Sequence, residues 1–201
     1  MQWSKRKRCR HSGWMARLSH GSVEGMTSDP RYPIGKFSSS AILSPQERAA
    51  AVDAIAKLPQ EMREVVRGLS EARVDTPYRE DGWTMRQTVH HVADSHMQSS
   101  GRVRLALTED WPVITPYKEN LWAELADART MPVDVSLKLL DAVHARWAVL
   151  LRSLTENDWT TRGHVHPQMG KQTLQQIAAL YAWHGRHHTA QIRALRERLG
   201  W

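Results

Sequence analysis

Four stretches between residues 44 and 200 repeat apolar side chains at steps of three and four, the spacing that lines up one apolar face on an α-helix. A helix with such a stripe must bury it, and four stripes of similar length can bury one another around a shared core. The first stretch opens at Ser44, Pro45 and Glu47, a capping box with proline at the first helical position, and carries Val52, Ile55, Leu58, Met62, Val65 and Leu69. Pro59 is expected to kink it. The second starts at Thr84, with Gln87 three residues on. It aligns Met85, Val89, Val92, His96, Val103 and Leu107 beside a strip of Thr88, His91 and Ser95. The third runs through Leu137, Leu140, His144, Trp147, Leu151 and Leu154. The fourth begins near Thr173 and Gln176, carries Ile177, Tyr181, His184, His188, Ile192, Leu195 and Leu199, and meets Gly200 in a C-cap position. The expected fold class is all-α, a four-helix bundle with long connections at 70–83 and 108–133. No alternating run argues for a sheet. A near-repeat in these two connections, Thr76-Pro77-Tyr78-Arg79-Glu80 against Thr115-Pro116-Tyr117-Lys118-Glu119, is too short to indicate duplication.

Charge and composition narrow the function classes. The net charge of +7 is concentrated in residues 1–25, which hold six Lys or Arg and one acid; the rest carries 22 bases against 20 acids. That basic segment has no periodic apolar face and lacks the apolar core of a signal peptide. It is expected to be an extension without order of its own, with residues 26–201 forming the bundle domain and Met26 offering a second start. A nearly neutral body gives no expectation of nucleic-acid binding. No stretch approaches the roughly 18 uninterrupted apolar residues of a membrane span. The single cysteine, Cys9, provides neither an intrachain disulfide nor a cysteine-rich zinc site, which fits a reducing compartment and histidine-based chemistry.

Eleven histidines supply that chemistry. His184 and His188 lie four apart on the fourth helix, so their imidazoles project from one face one turn apart and can share a metal ion. Two satisfied core histidines are the competing reading of this pair. His91, on the polar strip of the second helix, is a third histidine that a bundle can bring to face them. Three neutral imidazoles with an open coordination position are the donor set of catalytic zinc. The stretch His184-Gly185-Arg186-His187-His188 has no glutamate after its first histidine, so the metalloprotease motif is absent. Gly185 costs about 1 kcal/mol relative to alanine inside a helix and leaves room either for substrate or for a close helix neighbour, the second being favoured. Asp94 is either an orienting group for an imidazole or a solvated helix residue. His90 points about 100° from His91, so one of the two at most joins the site. His96 and His144 fall on apolar stripes as core histidines, and His187 points away from the pair. His164 and His166, in the connection before the fourth helix, are reserve ligands.

These residues resemble a known family. Asp75-Thr76-Pro77-Tyr78-Arg79, Gly82-Trp83-Thr84, Arg86-Gln87 and Val89-His90-His91-Val92-Ala93-Asp94-Ser95-His96-Met97 are similar to the YfiT group of the DinB-like superfamily. So are Tyr32-Pro33-Ile34-Gly35, His144-Ala145-Arg146-Trp147, His166-Pro167 and Tyr181-Ala182-Trp183-His184 with His187-His188. The likeness covers about residues 32–201 and leaves residues 1–25 without a counterpart; His164 departs from the family pattern. The resemblance implies a DinB/YfiT-like four-helix bundle, a cytoplasmic homodimer, and one divalent metal ion per chain on His91, His184 and His188. The same three residues follow from spacing.

The expected function is a metal-dependent hydrolase in which the ion, zinc first and nickel second, activates water against a small-molecule substrate. No carboxylate stands out as general base. The alternative is a metal-dependent transferase that binds a low-molecular-weight thiol as thiolate at the same ion, for detoxification. A non-catalytic reading has the metal staple the bundle, with His164, His166 or His96 closing the coordination sphere.

Overall fold

The computed structural model describes residues 29–38 and 42–201. The basic segment 1–25, the second start at Met26 and the boundary between extension and bundle lie outside the described residues.

All four expected helices form; α1, α3 and α8 begin at a reciprocal capping pair that satisfies free N–H groups of the first turn, whereas α6 follows Pro132 with no side-chain cap. Helix α1 (Pro45–Val66) is capped by Ser44, whose hydroxyl accepts from the Glu47 N–H while the Glu47 carboxylate accepts from the Ser44 N–H. The short α2 (Glu71–Val74) precedes α3 (Met85–Thr108), which opens on the same reciprocal pair made by Thr84 and Gln87. Helices α4 (Glu119–Trp122) and α5 (Ala126–Thr130) interrupt the long connection to α6 (Val133–Arg152). Helix α7 (Glu156–Thr161) and strands β1 (Gly163–His166) and β2 (Gly170–Thr173) lead into α8 (Leu174–Leu199). Gly200 closes α8 at φ 67°, the left-handed conformation of a glycine C-cap.

The stripes bury as their spacing requires. One core cluster gathers Val52, Ile55, Val103, Trp147, Leu151 and Ile177; another gathers Leu58, Met62, Met85, Val89, Leu140 and Ile192. Fully burying one such side chain contributes about 1.5–3 kcal/mol. Along α1 and α8 the chain passes from the first cluster to the second, and along α3 and α6 from the second to the first. Thus α1 and α8 run one way and α3 and α6 the other. Helix α1 packs against α6 and α8, and α3 against the same two, so consecutive long helices α1 and α3 sit across a diagonal. Parallel neighbours α3 and α6 need a connection that returns along the whole bundle, which is the physical reason for the long 108–133 segment.

Two buried side chains tie that connection down. Arg86, only 3% exposed, pairs with Glu71 and Asp75 and donates to the Met131 carbonyl. Gln87 donates to the Ala123 carbonyl and to Glu124.

Two local features need the tertiary structure to explain them. Helix α1 runs on through Pro59, where no N–H is available to bond the Ile55 carbonyl; that carbonyl accepts instead from His144 Nδ1. The segment ahead of α8, expected as loop, is an antiparallel hairpin pairing Gly163 with Thr173 and His166 with Gly170. Four-residue strands are too short for alternation to register in sequence. Gly163 is required there because a Cβ would lie 2.0 Å from the Gln172 carbonyl oxygen.

Candidate metal centre

Between the two apolar clusters three helices contribute imidazole: His96 from α3, His144 from α6, and His184 and His188 from α8. His91 approaches the α8 pair from α3. One ring nitrogen from each of His91, His184 and His188 lies within 4.8 Å of the others, and Nε2 of His91 is 3.2 Å from Nε2 of His184. Two nitrogens each bound at 2.0–2.1 Å to a tetrahedral ion are roughly 3.3 Å apart, so the His91–His184 spacing fits such an ion.

Tautomers follow from groups that can only accept. The Arg31 carbonyl accepts from Gln191 Nε2 at 3.1 Å, which turns Gln191 Oε1 toward His188 Nδ1 at 2.8 Å. His188 Nδ1 therefore carries the proton, leaving Nε2 with a free lone pair. Gln191 Nε2 also donates to His187 Nε2. His184 Nδ1 faces His96 Nε2 at 3.1 Å, so a proton on that Nδ1 likewise frees Nε2. This is the outer support expected of ligating imidazoles, with an amide and a second histidine in the place more often taken by carboxylate.

Burial fixes the charge state. It pushes His91 down to about 4 and holds His184 and His188 well below the ordinary histidine value, with neighbouring imidazoles adding to the effect. The cluster is neutral and ready to ligate near pH 7. Gly185, between the α8 pair, permits a close crossing of α1: a Cβ there would stand 2.6 and 2.8 Å from the two Leu58 methyls. The close neighbour read from sequence is therefore Leu58.

The three imidazoles line a cavity of about 610 Å³. Both near-repeat segments contribute to its wall, through Tyr78 and Arg79 and through Pro116, Tyr117 and Glu119. The 29–38 segment closes one side, with Tyr32 against the His187 ring and Phe37 against Trp183.

The remaining histidines divide clearly. His90 bonds Ser136 and the Met131 carbonyl, outside the cluster. His144 is a core histidine, stacked on His96. His96 is fully buried as expected, yet it also touches His184, which its stripe position does not reveal. His164, His166 and His187 line the cavity but are not among the three clustered residues. Asp94 makes no hydrogen bond to an imidazole among the described residues; it sits half-buried near Asp127, and burial raises it to about 6. Gln191 was not singled out in sequence, although its position three residues after His188 on one helix face is the signal that marks it.

Residues 54–192 match the family model described as the DinB superfamily. A protein of Bacillus mycoides strain KBAB4 named "Putative metal-dependent hydrolase" is 49% identical over 173 residues, spanning 86% of this chain and 99% of the relative. A protein of the same name from Bacillus cereus strain B4264 is 49% identical over 174 residues, spanning 87% and 99%. Among solved structures, YfiT from Bacillus subtilis superposes with a TM-score of 0.83 at 41% identity over 86% of this chain and 98% of that one. It is described as "a probable metal-dependent hydrolase with an unusual four-helix bundle topology", a description that suits the diagonal placement of α1 and α3. With the bundle, the histidine cluster and these likenesses together, the chain belongs to the DinB superfamily and is a YfiT-like member of it.

Proposed function

We propose that His91, His184 and His188 hold one divalent metal ion and that the protein is a metal-dependent hydrolase of a small electrophilic substrate. The observation that carries this reading is the convergence of three neutral imidazoles at a cavity wall, with no carboxylate in the cluster among the described residues. Three neutral ligands leave the double positive charge of the ion uncancelled. Held by these three residues, such an ion would supply Lewis-acid chemistry for water and for the substrate's electrophilic centre.

The chain's own residues do the rest. Gln191 and His96 orient the His188 and His184 rings, and Trp83 packs on His91 with ring centroids 4.6 Å apart. The carboxylates available to take up a proton in the cavity are Asp81, in the turn before α3, and Glu119, the first residue of α4. Zinc is proposed first, on cellular supply, and nickel second.

The test is metal content by mass spectrometry of wild type and of His91→Ala, His184→Ala and His188→Ala, followed by ester and amide panels with and without added thiol. The reading expects about one ion per chain, lost in each variant, and turnover without thiol. A folded wild type that takes no metal on reconstitution overturns it. Metal-loaded protein that turns over only with thiol replaces hydrolysis by the transferase alternative.

A further inference from the structure

Arg102 stands in the wall of the histidine cavity with most of its hydrogen-bonding capacity unspent. It is half-buried on α3, and one terminal nitrogen donates to the Thr115 carbonyl at 2.9 Å. Among the described residues no carboxylate lies within 4 Å of it, whereas Arg86, Arg48 and Arg152 are each paired. A guanidinium presents five donors in a planar fork matched to carboxylate and phosphate oxygens. One donor is used here. The cavity's own carboxylates, Asp81 and Glu119, are not among its ion-pair partners.

The β-hairpin brings two more nitrogen-bearing groups to this end. His164 and His166 line the same cavity, on alternate positions of β1. His164 is 3% exposed, and its Nδ1 is buried without a hydrogen-bond partner among the described residues. Burial holds His164 down to about 4, with the Arg102 charge adding to the effect, so it is a neutral neighbour for the guanidinium.

Helix geometry gives the distance to the metal centre. Arg102 follows His91 by eleven residues, which at 100° per residue returns it to within about 20° of the same face, roughly 16 Å along the axis. A long side chain on a helix leans toward the N-terminus and shortens that gap. Ser95, also on the cavity wall, lies between them on the same face.

We propose that Arg102 is the specificity determinant of the cavity and selects an extended substrate that carries an anionic tail, carboxylate or phosphate, several bonds from its reacting centre. This rests on the metal-dependent reading for the position of the reacting centre. The anion subsite itself consists only of Arg102 and the β1 histidines.

The probes are suberate, its monomethyl ester and 7-phosphonoheptanoate, titrated by calorimetry into zinc-loaded full-length protein and into chelator-treated protein. Wild type is expected to bind the two probes that carry an anion at each end about tenfold more tightly than the monoester, a bidentate ion pair's worth of about 1.4 kcal/mol. Arg102→Gln erases that difference and Arg102→Lys restores part of it, with zinc content unchanged in both. A preference for the phosphonate over suberate assigns the tail to phosphate, and the reverse assigns it to carboxylate. Equal binding of diacid and monoester in wild type, or an undiminished preference in Arg102→Gln, overturns the proposal. An Arg102-dependent preference that is the same with and without zinc supports the anion subsite while counting against the metal as the second anchor. The two readings therefore fail separately.

Discussion

Replacing Gln191 by leucine tests whether the metal centre is held from outside its three imidazoles. Gln191 is 4% exposed and its Oε1 accepts the His188 Nδ1 proton at 2.8 Å. Leucine fills similar space and cannot accept, so His188 keeps a buried N–H without a partner or turns its ring to find one. Leaving such a donor unsatisfied costs about 1–3 kcal/mol. At about 1.4 kcal/mol per tenfold, zinc affinity should fall roughly 5- to 150-fold, in line with the roughly 10- to 100-fold cost of losing an outer partner. The leucine also removes donation to the Arg31 carbonyl and to His187. Gln191→Glu separates these effects, because it keeps an acceptor for His188 and loses the donors. Zinc affinity, measured by competition with a chromophoric chelator, should drop in Gln191→Leu and stay within about threefold of wild type in Gln191→Glu. Equal losses in both variants, or Gln191→Leu within about twofold of wild type, would refute the tautomer argument.

Gly185→Ala should destabilise the fold by about 1 kcal/mol: the helix gains about 1 kcal/mol of propensity, but crowding both Leu58 methyls costs about 1–3 kcal/mol. A melting temperature about 2–4 °C lower is the expected readout, and an unchanged or higher one contradicts the close α1–α8 crossing. Acid should weaken the metal-free protein. His144 and His164 are each pushed down to about 4 by burial, while in the unfolded chain they titrate near 6.5. The unfolded state then binds more protons between those values, so their contribution is complete above pH 6.5 and lost as pH falls toward 4, on the order of 3 kcal/mol for His144. Asp94, raised to about 6 from 3.8, has the opposite sign, contributing most below 3.8 and losing that as pH rises through 6, which offsets part of the change. Urea midpoints at pH 7 and 4.5 check the balance, and a flat profile would show that these histidines are not buried neutral.

The fold was legible because its information is local. Steps of three and four, capping pairs at Ser44, Thr84 and Thr173, and Gly200 at a helix end each concern residues within a few turns of one another. The hairpin around His164 was not, because four residues per strand leave no period to read. The partner of the Ile55 carbonyl beside Pro59 was also hidden, since it is His144, 89 residues away.

His184 and His188 could be paired from sequence alone, since one turn of helix fixes their common face. That His91 meets them within hydrogen-bonding distance, that Gln191 and His96 support the rings, and that Arg102 shares their cavity depended on how α3 packs against α8. Amphipathic stripes specify that helices associate, while their order around the bundle is set by which connections can reach and which clusters interlock. The sequence by itself therefore determined the helices, their buried faces and the residue types able to bind metal. Only the tertiary structure decided which imidazoles converge and which arginines share their cavity, because the walls that meet there come from distant parts of the chain and no local period encodes their meeting.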